Sequence, residues 1–516
     1  MFPSDGQSQR AVRFGTQRLS IEDIVDIAAG SARAALSDAP EFRATIARGA
    51  NFLDRLLRRE GVIYGVTTGV GDSCTVAIDP ELVGDLPRHL YTMHGCGLGE
   101  YLSAAQTRAV IATRLASLCK GFSGVSFELL EQMARLLERG LLPLIPSEGS
   151  VGASGDLTPL SYLAAALCGE GEVYRDGKTV AAASALAEAG ITPLRLRPKE
   201  ALAVMNGTAV MTALACLAYA RAEYLARLAT RITALSSLAL DGNAYHFDAM
   251  LFSVKPHPGQ QQIAEWLRRD LACAAPTDDI RRLQDRYSIR CAPHVIGVLA
   301  DALPWMRQSI ENELNSANDN PIIDGAGERI LHGGHFYGGH IAFAMDSMKN
   351  AVANLADLLD RQMALLVDSR YNNGLPANLS GARGARAAIN HGLKALQIGV
   401  SAWTAEALKL TMPASVFSRS TECHNQDKVS LGTIAARDCL RVLDLTEQVA
   451  AGLLIAGRQG TWLRRQINSA ALSAPVQAML ALLDADVAPI EEDRRLEPEL
   501  RILLERIRAR VWKLYE

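Results

Sequence analysis

Residues 149–160 read Gly-Ser-Val-Gly-Ala-Ser-Gly-Asp-Leu-Thr-Pro-Leu, and the rest of the sequence is organised around this stretch. Gly155 has no side chain to block attack of its amide nitrogen on the Ala153 carbonyl, and glycine tolerates the bent backbone that such an attack requires. The hydroxyl of Ser154 can leave as water. Cyclisation and dehydration of Ala153, Ser154 and Gly155 would therefore give an electrophilic five-membered ring without any external cofactor.

The composition favours helices and a chain that works in the cytoplasm. Hydrophobic residues make up 49% of the sequence but aromatic residues only 5%, and alanine and leucine dominate the apolar set. A net charge of -3 gives no reason to expect nucleic acid or an anionic membrane as partner. Nine cysteines without Cys-x-x-Cys spacing predict reduced thiols, and the polar residues 1–15 lack the apolar stretch of a signal peptide.

The flanks of the tripeptide carry a family resemblance. Without its flanking residues, a run of small residues before Asp-x-Thr-Pro would be interpreted as an ordinary loop and helix cap. Residues 149–173, GSVGASGDLTPLSYLAAALCGEGEV, closely resemble the signature of the histidine, phenylalanine and tyrosine ammonia-lyases and related aminomutases. This resemblance implies that Ala153, Ser154 and Gly155 form a methylideneimidazolone autocatalytically.

A loop at residues 64–71, Tyr-Gly-Val-Thr-Thr-Gly-Val-Gly, is too rich in glycine and β-branched residues to continue a helix. On these residues alone, Tyr64 has an ordinary packing role. The family resemblance instead implies that Tyr64 is the base that removes a proton from the substrate β-carbon. Because an unperturbed tyrosine pKa is about 10, we expect helix N-termini to favour the tyrosinate.

The pair Met93 and His94 resembles the position that reads the substrate ring in the family. This pair is Phe-Leu in many phenylalanine enzymes, His-Leu in some tyrosine enzymes and Ser-His in histidine enzymes, and Met-His is none of these. His94 at the second place is similar to the tyrosine aminomutases, where a histidine meets the phenol hydroxyl. A lone histidine beside glycines is otherwise more often a structural hydrogen-bonding residue.

Further motifs carry the remaining site residues that the resemblance implies. Asn206 in Asn-Gly-Thr polarises the carbonyl of the electrophile, and Tyr287 lies beside the electrophile. Arg290 binds the substrate carboxylate, a role that suits its bidentate fork. The substrate-binding set also includes Gln284, Asn318, Phe336, Asn425 and Gln426. Without the resemblance, these motifs would be interpreted as turns, caps and solvated loops.

Gln426 is the residue that best distinguishes histidine from phenylalanine and tyrosine as the substrate. It aligns with a position where histidine enzymes carry a glutamate, and His-Asn-Gln-Asp resembles the phenylalanine and tyrosine enzymes. A carboxylate suits an imidazole, whereas an amide suits a neutral phenyl or phenol pocket. No metal site is predicted, because the histidines lack ligand spacing beyond His332 and His335, whose Gly-Gly context fits the family loop better.

The helical spacing of apolar residues predicts an all-α bundle of long parallel and antiparallel helices, with the catalytic loops at the helix ends. The expected helices include residues 21–29, 40–59 and 385–410 and a charged C-terminal helix at residues 489–516, and the Gly-rich connection at residues 170–178 is expected to form a small hairpin. We expect an N-terminal domain at residues 1–205, with the electrophile and base loops, and a long-helix bundle with C-terminal helices at residues 206–516. The resemblance covers residues 15–510. It implies a homotetramer in which each active site is assembled from three subunits.

These observations favour a cytoplasmic ammonia-lyase that converts L-tyrosine, a small-molecule substrate, to p-coumarate and ammonia. The alternatives are a phenylalanine ammonia-lyase or a tyrosine 2,3-aminomutase, which shares the electrophile and the base. A histidine ammonia-lyase and an inactive helical homologue rank lower. Damage at Ser154, Tyr64 or Arg290 would indicate lost catalysis, and none is present.

Overall fold

This computed structural model describes residues 10–59, 61–271, 283–468 and 471–515. It is 59% helix with a few small strands, which confirms the predicted all-α class. The prediction that a signal peptide is missing used the polar residues 1–15. Of these, residues 1–9 lie outside the described ranges.

The first helices begin and end almost where the sequence predicts them. Ile21–Ala29 starts at Ser20, whose hydroxyl accepts the Asp23 amide while the Asp23 carboxylate accepts the Ser20 amide. Pro40–Arg58 has its proline in the first turn, where the missing amide hydrogen leaves no helical bond unmade. The small hairpin expected at residues 170–178 is also present, as strands Glu172–Arg175 and Lys178–Ala181.

Two other predicted helices differ from the structure. The helix expected at residues 385–410 is a 3-10 turn, Gly384–Ala388, followed by a separate helix, Lys394–Lys409. Gly392 lies between them at a φ of +53°, and its amide donates to the carboxylate of Asp493, so the loop is fixed away from helical geometry. The C-terminal charged stretch forms a shorter helix than expected, Glu497–Arg508.

The described chain divides into two units. The first comprises Met1–Ala220, Met306–Asp346 and Pro413–Arg437, and the second comprises Arg221–Trp305, Ser347–Met412 and Asp438–Glu516. The predicted boundary at residue 205 divides the chain once, whereas each of these units is built from three segments. As a division into domains, that boundary stays a prediction. Four of the five unit boundaries fall within long helices, and the fifth, at residues 412–413, falls in the loop after helix Lys394–Lys409. The four helices are Ala209–Ala239, Ala292–Leu314, Gly339–Val367 and Gly432–Ile467.

The first unit holds the described β-structure. Strands Arg10–Phe14 and Ala32–Leu36 pair in parallel, and Leu98–Tyr101 pairs with Pro146–Glu148. Leu142–Pro143 joins the hairpin, and Ile322–Asp324 pairs with Arg329–Leu331. The remaining helices of this unit are Leu86–Met93, Ala104–Leu118, Phe127–Arg139, Leu157–Leu167, Ala182–Glu188 and Glu200–Met205.

The second unit is built on close helix packing. A Cβ at Gly457 would lie 3.1 Å from the Leu235 Cβ, and one at Gly460 would lie 2.8 Å from the Ala239 Cβ. Buried Arg464 donates to the carbonyls of Ala239, Asn372 and Asn373, which stabilises the end of helix Ala209–Ala239. The shorter helices of this unit also include Ala249–Ser253, Pro258–Leu271, Tyr287–Arg290 and Ala474–Asp486.

Across the described ranges, every helix is too short or too polar to span a bilayer.

Leu235→Ala should destabilise the protein, because Leu235 is fully buried where its helix meets Gly457. Leu→Ala changes in packed cores cost about 2–5 kcal/mol. The midpoint of thermal unfolding should therefore fall. Leu482→Ala, at a side chain that is 42% exposed, is the matched control and should change the midpoint much less. Equal shifts for the two variants would contradict the packing described here.

Candidate active site

A cavity of about 800 Å³ lies in the first unit, and loops at helix ends form much of its wall. It brings together most of the site residues predicted from the sequence. Those that line it are Tyr64, Met93, His94, Ala153, Ser154, Gly155, Asn206, Phe336, Asn425 and Gln426.

Four predicted site residues do not line this cavity. Gln284, Tyr287 and Arg290 belong to the second unit. The Tyr287 side chain is 72% exposed, and the Arg290 guanidinium lies 4.7 Å from the centre of its ring. Asn318 is in the first unit but is buried, and its amide group bonds Arg114, Ser117 and Thr208. Asn318 therefore orders neighbouring loops instead of contacting the cavity.

The tripeptide is held by the backbone of Gly207. Gly155 and Gly207 form a parallel bridge, the Asp156 amide donates to the Gly207 carbonyl at 2.8 Å, and the Gly207 amide donates to the Ser154 carbonyl at 3.3 Å. Gly155 has a φ of +74°, and a Cβ there would lie 2.1 Å from the Gly207 oxygen. This contact requires glycine at position 155.

Two amide side chains bind Ser154 from the cavity side. The Asn206 Nδ2 donates to the Ser154 carbonyl at 2.7 Å, while its Oδ1 accepts the Asn320 amide at 2.6 Å. The Gln426 Nε2 donates to the Ser154 Oγ at 3.3 Å. Asn206 is thus oriented as a hydrogen-bond donor toward the Ser154 carbonyl.

The carboxylate of Asp156 fixes the loop to the start of helix Ala209–Ala239. Its Oδ2 accepts the Val210 and Met211 amides at 3.0 and 2.9 Å, and its Oδ1 accepts the Ser150 hydroxyl at 3.1 Å and the Thr433 hydroxyl. Burial raises the pKa of Asp156, and these donors oppose that shift. The positive end of a helix suits a carboxylate in this place.

Tyr64 presents its phenol to the cavity as a group with a raised pKa. Burial is the main cause, and the Glu422 carboxylate adds to it. The Gly71 amide donates to the Tyr64 hydroxyl at 2.6 Å and lowers the pKa. The net effect raises the pKa of Tyr64, which opposes the expectation that this environment favours the tyrosinate.

His94 has a defined tautomer. Its Nδ1 lies 2.8 Å from the carbonyl oxygen of Leu90. A carbonyl oxygen can only accept, so Nδ1 carries the hydrogen, and Nε2 of the neutral ring is left as an acceptor. His94 therefore offers the cavity a group that matches a hydroxyl donor.

The cavity also includes residues that the sequence reasoning did not select. Glu422 accepts the Asp72 amide at 2.8 Å and the Asn425 side-chain amide at 2.9 Å. His332 lines the cavity and contacts Tyr64 edge-on, with the ring centroids 6.2 Å apart. Glu422 lies two residues before the His-Asn-Gln-Asp motif, and His332 lies beside the Gly-Gly pair of the family loop, but neither pattern indicates that these loops converge on Tyr64.

In the part of the chain that the structure describes, His, Cys, Asp and Glu side chains form no group of three or more that could hold a metal ion.

Comparisons with known proteins agree with this geometry. The family model for aromatic amino acid lyases matches residues 19–485. The histidine ammonia-lyase of Gloeobacter violaceus is 36% identical over 490 residues, which cover 94% of each chain. The solved structure of tyrosine aminomutase from Streptomyces globisporus has a TM-score of 0.90 at 32% identity and covers 97% of each chain. The phenylalanine aminomutase of Pantoea agglomerans has a TM-score of 0.90 at 30% identity, over 97% of this chain and 99% of that chain.

The fold and the cavity are thus those of a carbon-nitrogen lyase with a helical scaffold. The chain belongs to the aromatic amino acid lyase family, which confirms the resemblance seen in the sequence. Several further curated relatives are also named histidine ammonia-lyases.

Glu422→Gln should lower the pKa of Tyr64, because it removes a negative charge and keeps an oxygen that can accept the Asp72 amide. The tyrosinate then forms at lower pH. We expect the limb of the kcat/KM profile that requires the tyrosinate to move toward lower pH by about one unit.

Asp427→Asn is the matched control for this experiment. Asp427 also lines the cavity but is not among the charges that shift the pKa of Tyr64, so its profile should match the wild type. A Glu422→Gln profile identical to the wild type would refute the link between these two side chains.

Proposed function

We propose that this protein is an ammonia-lyase that converts L-tyrosine to p-coumarate and ammonia. The observation that carries the substrate assignment is the 2.8 Å contact between the His94 Nδ1 and the Leu90 carbonyl oxygen. With Nδ1 committed to the Leu90 carbonyl, Nε2 accepts a hydrogen bond from a phenol hydroxyl. Phenylalanine has no hydroxyl to meet this acceptor.

The residues around the tripeptide fit a self-formed methylideneimidazolone. Its formation joins the Gly155 nitrogen to the Ala153 carbonyl carbon and releases that carbonyl oxygen as water. The Ser154 hydroxyl leaves with the Ser154 α-hydrogen as a second water. The glycine contact at Gly207 and the Asn206 donor support this assignment, because they bend the backbone and polarise the Ser154 carbonyl. When formed, the ring would supply an electrophilic carbon that captures the substrate amine.

Tyr64 is assigned as the base that accepts the β-proton. It must first lose its own proton, and the Gly71 amide stabilises the phenolate that results. Gln426 and Asn425 border the cavity with neutral amides, and Phe336 contributes an apolar wall. Met93 lies beside His94 on the same wall and shapes the ring pocket.

Arg290 is assigned to the substrate carboxylate, together with Tyr287 and Gln284. These three residues belong to the second unit and do not line the cavity in the first unit of the same chain. We therefore assign them to the active site of a neighbouring chain in a homotetramer. The exposure of Tyr287 supports this assignment, since a side chain that is 72% exposed is available to a partner. Asn318 is reassigned from substrate binding to support of the Asn206 loop.

Histidine is the second candidate substrate, and the names of the curated relatives favour it. Gln426 argues against histidine, because the family resemblance puts a glutamate at this position in histidine enzymes. The choice between lyase and aminomutase depends on how long ammonia and product are retained before the loops open. We favour the lyase, and the cytoplasmic location stays a prediction from composition.

The ring should be visible by mass. A peptide that contains Ala153–Gly155, taken from folded wild-type protein, should be lighter than its sequence by two waters. Ser154→Ala should restore a peptide without this deficit and abolish turnover, because no methylidene can form. Peptide mass spectrometry provides the measurement. An unmodified wild-type peptide would rule out the electrophile.

Substrate choice should follow His94. Wild-type protein incubated separately with L-tyrosine, L-phenylalanine and L-histidine should release p-coumarate fastest, measured by absorbance and chromatography. His94→Phe should lower kcat/KM for tyrosine by about ten- to a hundredfold, because the phenol hydroxyl loses its partner. Its kcat/KM for phenylalanine should be unchanged or higher.

Met93→Leu is the control on the same wall, and it should keep the preference for tyrosine. Preferred release of urocanate by the wild type would overturn the tyrosine assignment and favour the histidine alternative. Accumulation of β-tyrosine would instead assign the protein as an aminomutase.

A further inference from the structure

Arg114 is a fully buried cation that the proposed reaction does not use. It lies on helix Ala104–Leu118 with 0% of its surface exposed. Burial lowers the pKa of its guanidinium to about 10, so it is still charged at neutral pH. A buried charge lowers stability unless it is paired and fully hydrogen-bonded.

The guanidinium is poorly satisfied. Its Nη1 donates to the Asn318 Oδ1 at 2.9 Å. Its Nε and Nη2 have no hydrogen-bond partner among the described residues. The carboxylates of Asp156 and Asp319 attract it through space.

The neighbours of Arg114 do not depend on it for their own bonds. Asn318 Oδ1 also accepts the Ser117 hydroxyl at 3.1 Å. The Asp319 carboxylate is paired with Lys199 and accepts the Ser123 hydroxyl. If the guanidinium were lost, the Asn318 and Asp319 oxygens would still have hydrogen-bond donors. Hydrogen bonding to these two residues therefore does not explain why an arginine lies here.

What Arg114 does contact is the backbone that holds the tripeptide. A Cβ at Gly207 would lie 2.1 Å from the Arg114 Nη1. From the other side, the carbonyl of Gly207 lies against Gly155, and its amide donates to the Ser154 carbonyl. Gly207 is thus enclosed between the guanidinium and the residues that would cyclise.

We infer that Arg114 is a positioning residue for formation of the electrophile. It holds Gly207 in the conformation that pairs with residues 154–156, and so keeps the tripeptide bent for attack of the Gly155 nitrogen on the Ala153 carbonyl. This inference rests on the proposed function, because it requires that the ring forms. It assigns Arg114 no part in the turnover of substrate.

The test is the rate of ring formation in Arg114→Met. The full-length chain is made by cell-free synthesis, samples of the soluble fraction are digested over time, and the ratio of dehydrated to unmodified peptide is measured. Ring formation should be slower by about tenfold or more, since small misplacements of reacting groups cost that much. The midpoint of thermal unfolding should fall, because the buried carboxylates of Asp156 and Asp319 lose a neighbouring positive charge.

Arg108→Met is the control, on the same helix at a partly exposed position, and should form the ring at the wild-type rate. Arg114→Lys keeps the charge without the planar fork. This variant should also form the ring slowly. If Arg114→Met does not fold, the rate of ring formation in Arg114→Lys is the test.

Ring formation at the wild-type rate in folded Arg114→Met or Arg114→Lys would overturn the inference. A fall in thermal stability with a normal rate would show that Arg114 is merely structural. Absence of the two-water deficit in wild-type protein would overturn the proposed function, and the inference with it.

Discussion

The bond between Asp156 and the start of helix Ala209–Ala239 is the constraint on which the candidate site depends. The carboxylate accepts two amides of the first helical turn, while its own backbone amide donates to Gly207 just before that turn. The tripeptide loop and the helix start are therefore one rigid piece. Asn206 immediately precedes Gly207, so the same bonds fix its donor toward Ser154.

The site contains a group of buried charged side chains that do not line the cavity, in addition to the polar groups that do. Behind the tripeptide, Lys199 pairs with Asp319, and Arg114 lies nearby, all out of contact with solvent. In front of it, the cavity carries hydroxyl, imidazole and amide groups that can meet a substrate. The three buried charged side chains therefore do not line the cavity that would hold a substrate.

The sequence was informative about local chemistry and less so about assembly in space. Apolar spacing and caps predicted helices such as Ile21–Ala29, because those signals are local. Matching motifs to the family pattern predicted that Tyr64, His94 and Gln426 meet, and the structure brings them to one cavity. Arg290 was not brought there, since a motif does not say which part of the fold, or which copy of it, presents a residue. Glu422 and Arg114 were missed because their importance lies in contacts between residues far apart in the chain.

The pairing of Gly155 with Gly207 limits how this sequence can change through evolution. Each position lies so close to the other backbone or to a buried side chain that a single methyl group has no room. A side chain at Gly155 would meet the Gly207 backbone, whereas a side chain at Gly207 would meet the side chains of Arg114 and Asn318, so a replacement at Gly207 requires a change at these neighbours as well. Met93 and His94 line the same cavity without this backbone constraint, so exchanges that alter substrate preference can occur at these two positions.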